Sequence, residues 1–155
     1  MTTLERAQAV ARKYGTNDPA QILAELGVTV LSCRLSGVRG IYKQLKRNAF
    51  VFVDDRLDDR SRAFVLGHEL AHHLLHRGNN RMFLEHCTYF KTSPFETEAD
   101  LFSLCLMAPD PVEVIRRGET VNHLAARMGV TYQQAEAYRR EALPQVLAFR
   151  WADRR

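Results

Sequence analysis

The chain has 155 residues, of which 46% are apolar and 26% charged, values typical of one water-soluble globular domain. The net charge of +4 is too small to indicate a nucleic-acid partner by itself. Three widely spaced cysteines, Cys33, Cys87 and Cys105, form no C-x-x-C pair and favour reduced thiols over disulfides or metal ligands. Because the first thirty residues lack an apolar leader and no apolar run reaches membrane length, we expect a cytoplasmic protein without membrane contact.

The first part of the chain predicts two short helices. Residues 3–14 have helical spacing and stop at Gly15. Asp18-Pro19 then provide an N-cap and a first-turn proline for a second helix, which Gly27 ends.

Three β-prone stretches follow, over residues 28–35, 39–45 and 49–53. The segments between them, Ser36-Gly37 and residues 46–48, have the length of hairpin turns. The pattern therefore predicts a small antiparallel three-stranded sheet. Five basic residues without intervening acid indicate a solvated hairpin in preference to a nucleic-acid groove: Arg34, Arg39, Lys43, Lys46 and Arg47.

A long amphipathic helix is predicted next. The acidic run 54–59 precedes it and places negative charge at the positive end of the helix. Gly78-Asn79-Asn80 would terminate this helix, and residues 81–92 match no regular element.

Two more helices are indicated by their start and stop signals. The first starts at Ser93-Pro94 and runs to about Met107, before Pro109. The second starts at Asp110-Pro111 and stops at Gly118.

The C-terminal residues have the pattern of a helix-turn-helix. Residues 121–128 and 132–142 have helical spacing and are joined by Gly129-Val130-Thr131. Thr131 and Gln134 are spaced as a capping box for the second helix. These two helices could bind DNA, dock a substrate or complete the core. The second helix carries little positive charge before Arg139, which favours substrate docking or a place in the core over DNA binding.

The long central helix carries the most specific motif, H-E-x-x-H, at residues 68–72. On a helix, positions i and i+4 lie on one face, so His68 and His72 can bind the same metal ion. Glu69 projects beside them and can take a proton from a water on that ion without being a ligand. This spacing is typical of zinc-dependent peptidases; the alternative is a buried or solvated histidine cluster.

A peptidase zinc site needs a third protein ligand and leaves the fourth position to water. The metzincin pattern would place a histidine at position 78, which is Gly78. His76 lies near the helix face of His72, but His68, His72 and His76 on one straight helix cannot converge on the same tetrahedral ion. We therefore expect His76 outside the ligand set, either behind a ligand or in a structural role.

Glu96 is the better candidate for the third ligand, with Asp100 one turn later on the same helix face. Asp100 could accept the outer N–H of a ligating histidine. The alternative for Glu96 is a capping box with Ser93, a role that competes for the same carboxylate. Glu98 points nearly opposite and is interpreted as a solvated glutamate.

Together these residues resemble the ImmA/IrrE family of zinc metallopeptidases. The correspondence covers most of the chain, through Tyr14-Gly15-Thr16, Asp18-Pro19, Gly40-Ile41-Tyr42, the run from His68 to His76, and the run from Phe95 to Phe102 followed by Met107 and Pro109. The chain departs from the family pattern at Phe102-Ser103 and at residues 106–109, positions that concern packing more than ligands.

The resemblance implies a zincin-like α+β fold, with a peptidase domain over residues 1–110 and a C-terminal helical extension over residues 111–155. It implies Zn²⁺ held by His68, His72 and Glu96, with Glu69 as the general base and Asp100 at the family's Asn/Asp position. The implied substrate is a helix-turn-helix repressor, whose cleavage relieves repression in prophages, mobile elements or stress regulons.

Some roles stay open at this point. Tyr42, Tyr89 and His86 could each stabilise the oxyanion. The competing functions are a DNA-binding regulator, in which Arg139 and Arg140 would reach phosphate, and a zinc-binding adaptor without catalysis.

Overall fold

The structure, a computed structural model, describes residues 1–77, 93–108 and 110–152. Within them lie seven helices and three strands, in the order α1 (Thr3–Tyr14), α2 (Pro19–Glu25), β1 (Thr29–Cys33), β2 (Gly40–Leu45), β3 (Asn48–Asp54), α3 (Asp59–Leu75), α4 (Pro94–Met107), α5 (Pro111–Arg116), α6 (Val121–Met128) and α7 (Tyr132–Ala152). The α+β class is therefore confirmed. Among these helices none is long and apolar enough to cross a lipid bilayer.

The two N-terminal helices form where their caps predict. Thr2 and Glu5 make a reciprocal capping box at the start of α1, and Gly15 ends it with a φ of 66°. Asp18 accepts the N–H of Ala20 at the start of α2.

The sheet is mixed, so the prediction of an all-antiparallel sheet was wrong. Its strand order is β1-β3-β2, in which β2 pairs antiparallel with β3 and β1 pairs parallel with β3. The alternating residues Ala49, Val51 and Val53 of β3 are all buried, which favours this strand in the centre with a partner on each side. Residues 34–39 consequently carry the chain across the sheet instead of closing a hairpin.

The turn between β2 and β3 is a tight one. Leu45 pairs with Asn48, which leaves the two residues Lys46 and Arg47 in the turn, one fewer than predicted. Lys46 has a φ of 55°, the positive sign that a two-residue hairpin requires.

Helix α3 packs between the sheet and α4, and its contact with α4 is unusually close. A Cβ atom on Gly67 would lie 2.3 Å from Ser103 Oγ. Ser103 Oγ in turn donates to the carbonyl of Phe64, at 2.7 Å. This close approach sets the distance between the two helices that carry the predicted ligands.

The C-terminal helices pack against both α4 and α1. The predicted capping box is confirmed, because Thr131 and Gln134 each accept the other's backbone N–H. Tyr138 is buried and donates its hydroxyl to the carbonyl of Ala108. One turn further along α7, Glu141 accepts the N–H of Thr3 in α1 at 2.9 Å.

Two predicted helix ends differ from the structure. Helix α7 continues to Ala152, ten residues beyond the predicted end, and passes through Pro144. Proline removes one backbone hydrogen bond and its ring crowds the carbonyl four residues earlier, but the helix continues past it. Helix α3 ends at Leu75 with His76 as its C-cap, and its predicted terminator Gly78-Asn79-Asn80 lies outside the described residues.

Candidate metal centre

Helices α3 and α4 each begin at a capping side chain, and this fixes where their polar residues lie. Asp58 Oδ1 accepts the N–H of Ser61 at 2.7 Å at the start of α3. Ser93 Oγ accepts the N–H of Glu96 at 3.2 Å at the start of α4. Ser93 therefore caps through the Glu96 backbone, and the Glu96 carboxylate oxygens lie against two histidines.

The side chains of His68, His72 and Glu96 converge on one point. The Nε2 atoms of His68 and His72 are 3.0 Å apart. The Glu96 oxygens lie 3.2 Å from His68 Nε2 and 3.1 Å from His72 Nε2. Two atoms bound to one tetrahedral zinc ion at about 2.0–2.1 Å would be about 3.3 Å apart, so this triangle fits such an ion.

The charges around this triangle favour a cation. Burial alone would lower the pKa of His68, but hydrogen bonds to Asp100 and Glu96 outweigh it and raise that pKa to about 10. Burial would raise the pKa of Glu96, yet hydrogen bonds from His68 and His72 hold it well below its usual range. The carboxylates therefore favour positive charge at this position, which a divalent metal ion would provide.

The outer nitrogen of His68 is held by a carboxylate. His68 Nδ1 lies 2.8 Å from Asp100 Oδ1, and the other oxygen of Asp100 accepts from Gln134 Nε2 at 2.9 Å. Gln134 thus contacts Asp100 with one end of its amide and caps α7 with the other. Sequence reasoning found its capping role but not this contact, because nothing in the spacing relates position 134 to position 100.

The outer nitrogen of His72 is held by a second histidine. His72 Nδ1 lies 2.9 Å from His76 Nδ1, and His76 Nε2 lies 2.9 Å from Glu98 Oε2. The other oxygen of Glu98 pairs with Arg6 of α1 at 3.1 Å. The interpretation of Glu98 as a solvated glutamate was wrong, because α1 and the end of α3 lie against that face of α4.

Glu69 lies on the side of α3 that faces the sheet. It is buried, and among the described residues its Oε2 is a buried side-chain oxygen without a hydrogen-bond partner. Burial raises the pKa of Glu69 to about 7. A backbone hydrogen bond from Tyr42 reaches this carboxylate, and a Cβ on Gly40 would lie 2.9 Å from its Oε1.

Of the three candidates for stabilising an oxyanion, Tyr42 lies among the described residues. The Tyr42 hydroxyl lies 2.9 Å from His73 Nδ1, on the same side of α3 as Glu69. His86 and Tyr89 lie outside the described residues.

The residues proposed for DNA contact lie apart from this centre. Arg139 and Arg140 are exposed on α7, and Arg140 lies 3.9 Å from Glu136. Gln134, in the first turn of the same helix, is directed inward to Asp100. Part of the helix that would read a DNA groove thus contributes to the surroundings of the histidines.

Comparison with known proteins shows the family to which the chain belongs. The model of the family Peptidase_M78, the IrrE N-terminal-like domain, matches residues 23–138. The chain is 33% identical to "Uncharacterized immunity region protein 2" of Bacillus phage phi105 over 104 residues, 66% of each chain. It is 25% identical to "Metallopeptidase ImmA" of Bacillus subtilis (strain 168) over 105 residues, 68% of this chain and 62% of the relative.

The chain therefore belongs to the ImmA/IrrE family of metallopeptidases. Membership implies a divalent metal ion, and His68, His72 and Glu96 form a cluster of side chains that could hold one. The alignments cover less than two thirds of the length of both relatives.

Proposed function

We propose that the protein is a zinc-dependent endopeptidase that cleaves a helix-turn-helix transcriptional repressor and so relieves repression. The proposal rests on one observation, the triangle of His68, His72 and Glu96 beside the buried carboxylate of Glu69. Among the described residues, Glu69 Oε2 has no hydrogen-bond partner. A purely structural metal site needs no such carboxylate beside it, which argues against the adaptor without catalysis.

In this proposal, His68, His72 and Glu96 hold the ion and leave one position open for water or substrate. Bound zinc would polarise the substrate carbonyl and acidify the attacking water. Glu69 Oε2 takes the proton of that water and passes it to the leaving amine nitrogen. A pKa near neutrality suits a group that must both accept and return a proton.

The residues around the ligands orient them. Asp100 accepts from His68 Nδ1, which leaves Nε2 as the atom directed to the ion. His76 lies behind His72 in the corresponding position. We take residues 1–110 as the peptidase domain and residues 111–155 as a helical extension, whose Gln134 reaches Asp100.

A repressor is the substrate we propose because one relative is named for a phage immunity region and another is named a metallopeptidase. In this proposal, a peptidase related to an immunity region protein acts on the repressor on which such immunity depends. Such a substrate would place the protein in the cytoplasm.

The test has two parts, metal content and cleavage. Metal analysis of the purified protein should give one zinc per chain, with strong loss in His68→Ala, His72→Ala and Glu96→Ala. Incubation with the repressor encoded beside it should give two fragments, located by mass spectrometry, and His72→Ala should give none. Full zinc occupancy in both histidine variants would refute the site, whereas zinc binding without cleavage of any repressor would favour the adaptor.

A further inference from the structure

We propose that His76 and Glu98 are positioning residues that form a directed hydrogen-bond relay behind the ligand His72, anchored at its outer end by Arg6. The relay rests on the proposed function, since it takes His72 Nε2 as the atom that binds the metal. It extends the site from α3 and α4 to the N-terminal helix α1.

The geometry of the relay is continuous. His72 Nδ1 and His76 Nδ1 are 2.9 Å apart, His76 Nε2 and Glu98 Oε2 are 2.9 Å apart, and Glu98 Oε1 lies 3.1 Å from an Arg6 Nη atom. Each distance is within hydrogen-bond range. Both histidines are buried, whereas Glu98 and Arg6 are partly exposed.

The position of the His76 ring is determined by packing as well as by these bonds. Its centroid lies 5.1 Å from that of His72 and 4.9 Å from that of Phe95, with the rings inclined at 55° and 69°. As the C-cap of α3, His76 also donates its backbone N–H to the carbonyl of His72. The side chain is therefore held on three sides, as a positioning group requires.

The chemistry of imidazole gives the relay one direction. A neutral imidazole that uses Nε2 as a metal ligand carries its proton on Nδ1, so His72 donates from Nδ1. His76 Nδ1 must then accept, which places the His76 proton on Nε2. That proton is donated to Glu98, an acceptor-only carboxylate whose charge is balanced by Arg6.

The arrangement explains why Glu98 lies here although it does not touch a ligand. His68 receives its carboxylate directly, from Asp100. The corresponding position behind His72 is occupied by His76, so the carboxylate acts through one intervening ring. The relay should orient His72 and increase its basicity as a ligand, as outer partners of metal-bound histidines do.

The first experiment measures zinc affinity by competition with a chromophoric chelator. His76→Leu, which removes the acceptor, should weaken zinc binding by about 10- to 100-fold. His76→Asn keeps an oxygen near the position of Nδ1 and should recover most of that loss. Glu98→Leu should weaken binding by about tenfold and Glu98→Gln, which still accepts a hydrogen bond, by less. Glu113→Leu, the same change at an exposed glutamate of α5, is the matched control and should bind as the wild type does.

The second experiment needs no variant in the relay. A two-bond ¹H–¹⁵N correlation spectrum of the zinc-loaded, ¹⁵N-histidine-labelled wild type reports which nitrogen of each ring carries the proton. His72 should be protonated at Nδ1 and His76 at Nε2 alone. A His76 ring protonated at Nδ1, or at both nitrogens, would overturn the relay even if the leucine variants fail to fold.

The outcomes separate this inference from the proposed function. If the wild type binds no zinc, or if His72→Ala binds it with unchanged affinity, the proposed site itself fails. If zinc binds through His72 but His76→Leu and Glu98→Leu keep wild-type affinity, the site stands and the relay is refuted.

Discussion

The two sides of helix α3 differ in how their polar side chains are hydrogen-bonded. On the side that faces α4, the outer nitrogens of His68 and His72 are both hydrogen-bonded, to Asp100 and to His76. On the side that faces the sheet, Glu69 is buried but keeps one carboxylate oxygen without a partner among the described residues.

The difference separates the buried polar atoms that hydrogen bonds hold in place from the one that has no partner among the described residues. A buried polar atom without a partner costs about 1–3 kcal/mol, and more when charged, so folded proteins rarely keep one without a task for it. On the α4 side, hydrogen bonds fix the orientation of the two histidine rings. On the sheet side, Glu69 Oε2 has no partner among the described residues and is available to a water or a substrate. Four sets of variants can test this division.

The largest effect is expected from Glu69→Gln, which keeps the shape of the side chain and removes the proposed general base. Cleavage of a repressor should fall by at least about a hundredfold. Zinc content should stay at the wild-type level, because Glu69 lies outside the ligand triangle. Zinc loss would instead make Glu69 a ligand, and retained activity would require another base.

Gly67→Ala should damage the α4 side. The added Cβ would lie 2.3 Å from Ser103 Oγ and 3.3 Å from Ser103 Cα, so α3 and α4 must move apart. We expect a loss of about 1–3 kcal/mol in the free energy of unfolding and a weaker zinc affinity. Thermal unfolding and chelator competition measure the two effects. Ser103→Ala in the same chain should restore part of the lost stability and part of the lost zinc affinity. No recovery would show that the strain does not arise at Ser103.

Gly40→Ala is the matching change on the sheet side. Its Cβ would meet Val65 Cγ1 at 2.5 Å and Glu69 Oε1 at 2.9 Å, so it should displace the Glu69 carboxylate. We expect about a tenfold loss of cleavage rate, with zinc affinity close to that of the wild type. If Gly40→Ala and Gly67→Ala lowered zinc affinity equally, the two sides of α3 would not differ in their effect on metal binding.

The smallest effect is expected from Gln134→Glu, which tests the outermost contact of His68. Glutamate keeps the acceptor of the capping box with Thr131 but replaces the amide that donates to Asp100 by a like charge. Loss of this hydrogen bond should weaken zinc affinity by about two- to tenfold. Gln133→Glu, an identical change at the exposed neighbouring position, should have no effect. Equal effects of the two variants would show that the added charge acts at long range.

Much of the site could be predicted because its parts are close in sequence. The helical repeat places His68, Glu69 and His72 on adjoining faces of one helix, whatever surrounds it. The capping residues Ser93 and Thr131 likewise act within one turn, so the starts of α4 and α7 follow from short motifs. Such local rules determined most helix boundaries and the pairing of His68 with His72, whereas Glu96 was proposed from its place on the next long helix and from the family resemblance.

Contacts between distant segments were decided only by the tertiary structure. Strand β3 lies in the centre of the sheet and β1 pairs with it in parallel, although the short connection between β1 and β2 suggested a hairpin. Arg6 and Glu98 are 92 positions apart, and Gln134 and Asp100 are 34 apart, so no periodicity relates them. Their proximity depends on how closely the helices can approach, as at Gly67 and Ser103, and that distance is a property of packed side chains in three dimensions.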